Sequence, residues 1–261
     1  MENGIHKLDE QEYWDVPRAR WSSVKTILDC PAAYQHHVHH PDRPSGPKEL
    51  GTLVHAMVLE PDQVDLLFIR GEKCDRRTKV GKARWAELQE EAGDREVVEA
   101  KMWDQAMDLA GALRKCMDAE LPEWRNGRKE TAVLGSMYDI PAKCKIDLIV
   151  DDEVWDIKTA RDLHPKPFSS ACHRYAYYGQ IACYTQLLRQ HEPGSSIGGL
   201  IVVQTVGPPV AHVLRFNERA QALGLLQCDK AWSQLANCRA KNIWPGYDYD
   251  GVLDAPVWWS Q

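Results

Sequence analysis

Twenty residues, Ile140 to Thr159, constrain this chain more than any others. They read I-P-A-K-C-K-I-D-L-I-V-D-D-E-V-W-D-I-K-T. Apolar and polar residues alternate on both sides of an acidic link at Asp151, Asp152 and Glu153. That pattern predicts two half-buried strands joined as a hairpin. Side chains along a strand point alternately to its two faces. Ala142, Cys144, Ile146, Leu148 and Val150 therefore share one face of the first strand, and Lys143, Lys145 and Asp147 the other. In the second strand Val154, Asp156 and Lys158 oppose Trp155 and Ile157. Asp156 and Lys158 are neighbours by geometry, and antiparallel pairing lets Asp147 join them. Two carboxylates and a lysine on one sheet face suit metal-assisted hydrolysis. The carboxylates are hard ligands for Mg²⁺ or Mn²⁺. The lysine can orient or deprotonate a water, or offset charge on a phosphate. The plain alternative is a surface hairpin whose Asp and Lys form a weak salt bridge.

The chain has 261 residues, 44% hydrophobic and 27% charged, enough to bury a sizeable core without staples. Its formal net charge of −6 counts modestly against nucleic-acid binding, but a groove needs only local positive potential. Ten tryptophans are many for this length; some belong to a core, and an aromatic excess also suits interfaces and base stacking. None of the eight cysteines forms a C-x-x-C pair, so zinc ribbons, redox motifs and iron–sulfur clusters are unsupported. No signal peptide or membrane-length apolar run occurs. A reducing cytoplasm, with the cysteines free and mostly buried, is the simplest compartment.

Read in order, residues 1–20 are a loosely held leading segment, 21–125 are mainly helical, 126–241 carry the sheet, and 242–261 are an irregular aromatic tail. No linker forces two domains. Ser22 or Ser23 can cap a short helix that turns Val24, Ile27 and Leu28 inward, and Pro31 can start another bearing Tyr34. His36, His37, His39 and His40 read as a solvated helix end rather than a metal tract. Pro41 to Pro47 is a loop. Leu53, Val54, Met57 and Val58 have helical spacing, with His55 among them and Pro61 ending the helix. From Arg70 to Arg84, seven basic residues face two acids, an exposed loop suited to phosphate contact or a solvated charged one. Thr78 caps a helix that stops near Gly93, and a longer helix spans 99–117. Strands are predicted at 130–138, 197–205 and 210–216, a long helix at 169–190, and a last helix from the Asn217 cap to Lys241. The expected architecture is α/β, with a mixed sheet of about five strands flanked by helices and a helical N-terminal half.

Four motifs stand in order: W-S-S-V-K-T-I-L-D-C-P-A-A-Y from Trp21, G-T-L-V-H from Gly51, Asp147 followed by D-I-K-T from Asp156, and Q-I-A-C-Y from Gln180. Over roughly residues 20–245 the chain resembles the RecE (exonuclease VIII) group of phage and prophage nucleases. That group lies within the PD-(D/E)xK superfamily, with the RecB nuclease domain and λ exonuclease. The resemblance implies a restriction-endonuclease-like core and a single nuclease domain over 1–261. It implies metal ligation by His55, Asp147, Asp156 and the Ile157 carbonyl, and a catalytic Lys158. Gln180 and Tyr184 match a helix that abuts the site and touches DNA or the lysine. Glu130 takes the place of an upstream strand glutamate. Ile146 stands where the motif has proline, and the second acid is Asp rather than Glu; RecB-like members share both departures.

The activity implied is a Mg²⁺- or Mn²⁺-dependent exodeoxyribonuclease, with two ions per site. It would degrade one strand of duplex DNA 5′→3′ and leave 3′ overhangs for recombination by strand annealing. Implied partners are double-stranded DNA ends, a RecT/Bet-like annealing protein, and further copies in a trimeric or tetrameric ring, in the cytoplasm of a bacterium carrying the phage or prophage. A ring would concentrate basic loops inward while the outer face stays acidic. Arg18 or Arg20 with Ser22 or Ser23 is placed to receive a 5′ phosphate, the serines serving equally as helix caps. Arg76 and Arg77 would grip the duplex. A PD-(D/E)xK endonuclease, a RecB/Cas4-type repair nuclease without an iron–sulfur cluster, and a non-catalytic DNA-binding protein of the same fold are the competing readings. Retention of Asp147, Asp156 and Lys158 together speaks against the last.

Overall fold

The computed structural model describes residues 1–40, 46–72, 74, 75, 77–248 and 251. In chain order it has β1 (Gly4–His6), α1 (Glu10–Asp15), β2 (Ala19–Arg20), α2 (Trp21–Val24), α3 (Pro31–His39), α4 (Gly46–Leu59), α5 (Val64–Leu67) and β3 (Phe68–Arg70). Then come α6 (Lys79–Ala92), β4 (Glu96–Val98), α7 (Ala100–Glu120), β5 (Arg128–Met137), β6 (Ile140–Val150) and β7 (Glu153–Ala160). The chain closes with α8 (Pro165–Arg174), α9 (Tyr177–Arg189), β8 (Ser196–Gln204), β9 (Ala211–Arg215) and α10 (Glu218–Lys241). Local chemistry explains several bounds. Thr78 and Asn217 accept from the backbone N–H of Gly81 and Ala220, capping α6 and α10. Gly93 and Asn242, both at positive φ, end those helices. Tyr138 and Asp139, at φ 50° and 60°, make the tight turn between β5 and β6.

Among the described residues the main sheet has seven strands rather than about five, ordered β1-β5-β6-β7-β8-β9 with β2 beside β6. β7 and β8 run parallel, as do β2 and β6, and the other neighbours are antiparallel. β3 and β4 form a separate parallel pair. The two extra strands come from the leading segment, which is tied into the sheet and not loosely held. Arg18 is part of that tie, donating to Asn3 Oδ1 (2.6 Å), Met1 O (2.8 Å) and Gly135 O (2.9 Å).

β5 occupies one edge of β6 along its length. The other edge is divided. β7 pairs only with Leu148, Ile149 and Val150, and β2 only with Ala142 and Lys143. Between them that edge of β6 has no strand partner among the described residues, and there the strand changes sides. Ala142, Cys144, Ile146 and Ile149 lie in the layer under α9 and α10, whereas Leu148 and Val150 lie in the layer under α4 and α7. The predicted common face of Ala142, Cys144, Ile146, Leu148 and Val150 therefore breaks after Ile146. The break lies at Asp147, where pairing with β5 skips Glu130, a residue at φ 48°.

Other expectations shift as well. Ser22 and Ser23 sit inside α2 and do not cap it; its N-cap is Arg20, with no side-chain hydrogen bond. α4 starts at Gly46, earlier than its apolar spacing suggested. Residues 41–45 of the predicted loop lie outside the described residues, as do Tyr249, Asp250 and 252–261 of the tail. Residues 242–248 are irregular, as expected, with Trp244 stacked on Tyr34 at 5.6 Å. The predicted helix over 169–190 is two helices, α8 and α9, divided at Ala176 in the left-handed region (φ 54°, ψ 41°). Its carbonyl accepts from the buried Trp21 indole at 3.2 Å. Trp21 also packs against Gly179, where a Cβ would stand 2.4 Å from the ring. Gly179→Ala overpacks a fully buried site and should cost about 1–3 kcal/mol, read as a lowered urea midpoint with an unchanged m-value.

Candidate active site

The site lies where β7 parts from β6. Asp147 Oδ2 accepts from the Ile157 backbone N–H at 2.7 Å, taking the role that a neighbouring strand's carbonyl would have played. From the α4 side, His55 donates through Nε2 to the Ile157 carbonyl oxygen at 2.8 Å, with Nδ1 3.4 Å from Asp147 Oδ2. His55 reaches there because α4 is apolar on two sides. Leu53, Val54, Met57 and Val58 are buried and press the helix onto the sheet. Glu130, facing Asp147 from β5, completes a group of three. His55, Glu130 and Asp147 each offer a ligand atom, all within 4.8 Å of one another. Lys145 pairs with Glu130 at 2.8 Å.

On the same strand end, Asp156 is 1% exposed. One of its oxygens is ion-paired with Lys158, and the other accepts from Gln180 Nε2 at 2.5 Å. Gln180 Nε2 also donates to the Tyr184 hydroxyl at 3.3 Å. Gln180 thus meets the acid, and the same helix reaches the lysine through Tyr177. The Lys158 ammonium lies 5.2 Å from the centre of the Tyr177 ring. Lys158 and Tyr177, with His55, Glu130 and Asp147, border a cleft of about 1530 Å³ that is also lined by Tyr13, Trp14, Phe68, Phe168 and Tyr175.

Electrostatics follow from burial. Desolvation, then the nearby Asp156, push Asp147 up to about 7, against the pull of His55 and Lys158. Desolvation works against a charged Lys158, but Asp156 and Asp147 outweigh it and hold the ammonium protonated. Burial and then Glu130 push Glu60, on the cleft wall, upward too. A carboxylate that resists ionising beside a second one, with an imidazole and a glutamate at hand, fits a divalent cation. Hard oxygen donors with one neutral nitrogen suit Mg²⁺ or Mn²⁺.

The structure gathers His55, Glu130, Asp147, Asp156, Ile157, Lys158, Gln180 and Tyr184. It turns Asp156 toward Lys158 and Gln180 and leaves it outside the three-residue group, in which Glu130 stands instead. Among the described residues none of the remaining candidates lines the cleft, although Arg20 stands beside it against Trp14 of its wall. Arg18 is spent on the leading segment. Arg20 is half-buried over the Trp14 ring at 3.9 Å. Ser22 is exposed and Ser23 half-buried. Arg77 bonds Asp75 on an exposed loop, and Arg76 lies outside the described residues. Much of the basic stretch is neutralised locally, Arg70 by Asp104 and Arg84 by Glu72, Glu87 and Glu91. Its predicted loop gives way to α6 from Lys79. Among the described residues no helix is long and apolar enough to cross a membrane.

A mixed sheet that forks at a D-x-K strand, with a helix-borne histidine and an upstream glutamate beside it, defines a member of the PD-(D/E)xK nuclease superfamily. Residues 21–250 match the family model described as PDDEXK-like domain of unknown function (DUF3799), and the chain belongs to that family. Among solved structures it is similar to a "putative exonuclease" from Eubacterium rectale, with a TM-score of 0.64 at 13% identity over 97% of this chain and 96% of that one. At that identity the likeness is one of fold. The crystal structure of SSO0001 aligns at a TM-score of 0.32 and 14% identity, over 87% of this chain and 77% of that one, too low to weigh. No curated protein matches the sequence.

Asp147 also sets a pH dependence. Its folded value lies above the unfolded carboxylate value of about 3.9. Its contribution to stability is therefore complete below pH about 4 and lost as pH rises through about 7. A bound cation favours the ionised form and reverses that loss. Mn²⁺ should raise the melting temperature markedly at pH 8 and little at pH 5. Asp147→Asn should melt a few degrees higher than wild type without metal at pH 8 and respond weakly to Mn²⁺; differential scanning calorimetry reads both.

Proposed function

We propose that the protein is a metal-dependent exodeoxyribonuclease that degrades one strand of duplex DNA 5′→3′ and leaves 3′ overhangs for strand annealing. The observation that carries the nuclease part is the meeting of His55, Glu130 and Asp147 beside the buried Asp156–Lys158 pair. The 5′→3′ direction and the recombination role are supported by the resemblance of the four motifs to RecE-type nucleases.

A divalent cation held by His55, Glu130 and Asp147 would lower the pKa of water and offset phosphate charge. The chain's own residues do the rest. Gln180 fixes one Asp156 oxygen, which leaves the other to hold Lys158. Lys158 then presents a protonated ammonium to the cleft. There it can orient the attacking water and balance charge that builds on the phosphate. His55 bonds the Ile157 carbonyl and, with Asp147, keeps β7 at its distance from β6. The aromatic walls limit water around these charges and so strengthen their interaction.

Double-stranded DNA ends are the proposed substrate, and a single-strand annealing protein the proposed partner. A trimeric or tetrameric ring would reconcile a net charge of −6 with DNA binding by turning cationic loops inward. The proposed setting is the cytoplasm of a bacterium that carries the phage or prophage.

Lys158→Ala should retain Mn²⁺ binding by calorimetry and lose turnover on the order of 10²- to 10⁴-fold; normal turnover would remove the lysine from the mechanism. With Mg²⁺, linear duplex should release its 5′-terminal label at once and keep its 3′ label, faster from 5′-phosphate than 5′-hydroxyl ends. Covalently closed circles should stay intact, and their cutting would favour the endonuclease reading.

A further inference from the structure

The break between α8 and α9 has a consequence beyond ending a helix. Successive residues of an α-helix are turned by roughly 100°, so residues two apart do not face each other. Tyr175 and Tyr177 do: their ring centres lie 5.8 Å apart with planes 30° from parallel. The left-handed backbone at Ala176 brings them together. Alanine gains nothing from that conformation, which costs about 1–2 kcal/mol for an L-residue. Surrounding contacts hold it. The Ala176 carbonyl accepts from Trp21 Nε1 and from the Gln180 backbone N–H at 3.0 Å, and the Tyr175 carbonyl accepts from Lys25 Nζ at 3.3 Å. Such enforced strain gathers at functional sites.

Both rings line the cleft that contains His55, Glu130, Asp147 and Lys158. Tyr177 faces the Lys158 ammonium, and Tyr175 is 50% exposed at the rim. An aromatic pair with one exposed ring beside a cation is what an unpaired nucleobase with its phosphate requires. Base–aromatic stacking tolerates any sequence, since every base has a π-face. We infer that Tyr175 and Tyr177 form the platform on which the terminal nucleobase of the scissile strand stacks once unpaired, which sets its phosphodiester beside Lys158. This rests on the nuclease reading above and adds a substrate subsite to it.

The test uses full-length protein with Ca²⁺ and duplex DNA bearing 2-aminopurine at the 5′ terminus. Wild type should quench the probe. Tyr175→Ala should lose most of that quench and raise KM on linear duplex on the order of tenfold, with kcat and melting temperature little changed. Tyr175→Phe keeps the ring and should match wild type. Duplex with an abasic 5′-terminal nucleotide should bring wild type to the KM of Tyr175→Ala and leave that variant unaffected. Equal quench and KM in Tyr175→Ala and wild type, or a Tyr175→Phe as impaired as Tyr175→Ala, would overturn the platform while active wild type upholds the nuclease reading. A wild type that quenches the probe yet cuts no DNA with Mg²⁺ or Mn²⁺ would sink that reading and keep the platform.

Discussion

One hydrogen bond, from the Ile157 N–H to the Asp147 carboxylate, is where the sheet and the site become the same thing. Strand β6 shares one edge between β7 and β2 and leaves a stretch of that edge open. An open edge inside a protein strands backbone donors, and a buried unpaired N–H costs on the order of 1–3 kcal/mol. Asp147 answers the Ile157 donor with a side chain instead of a carbonyl. The substitution lets β7 swing away to pair with β8 while the two acids of the hairpin stay close. It also commits a carboxylate to a half-buried position next to a second one.

That commitment shapes the electrostatics. Asp156 is neutralised within the protein by Lys158 and oriented by Gln180. Asp147 makes no ion pair with a lysine or arginine among the described residues, and it lies against an imidazole and another acid. The asymmetry divides the labour of the two carboxylates. One keeps the lysine charged, and the other, raised by burial, is left wanting a positive partner. Metal-free protein therefore holds an arrangement that works against its own stability near neutral pH, a usual property of sites built for binding. The rigid surroundings that tolerate it are two packed layers, one under α9 and α10 and one under α4 and α7.

How much was legible in the sequence varies element by element. The hairpin, the strands β8 and β9, and the helices α7 and α10 follow from period and capping residues, and they lie close to where the pattern put them. The division at Ala176 left no such trace. Alanine is the best helix former, and the break is imposed by a distant Trp21. The strands of the leading segment were hidden because each is three residues or fewer, too short for any period to register. Alternation also overextended the face of β6, since it cannot report a strand that changes sides at Asp147. The basic run at 70–84 looked available for phosphate because its acidic partners Glu87, Glu91 and Asp104 lie beyond it in the chain.

The sequence by itself determined the kinds of chemistry present: a D-x-K strand, an acid upstream, a histidine on an apolar helix, and a glutamine and tyrosine one helical turn apart. Period and spacing say how a side chain faces relative to its own element, and that was enough for Asp156 and Lys158 to be neighbours. Tertiary structure decided which elements meet. It carried His55 across 102 residues to the Ile157 carbonyl and set Glu130 rather than Asp156 in the group of possible ligands. It also turned two tyrosines onto one side of a broken helix. Those outcomes depend on packing between layers and on where a sheet forks, and no local pattern along a single chain encodes the neighbour it will find.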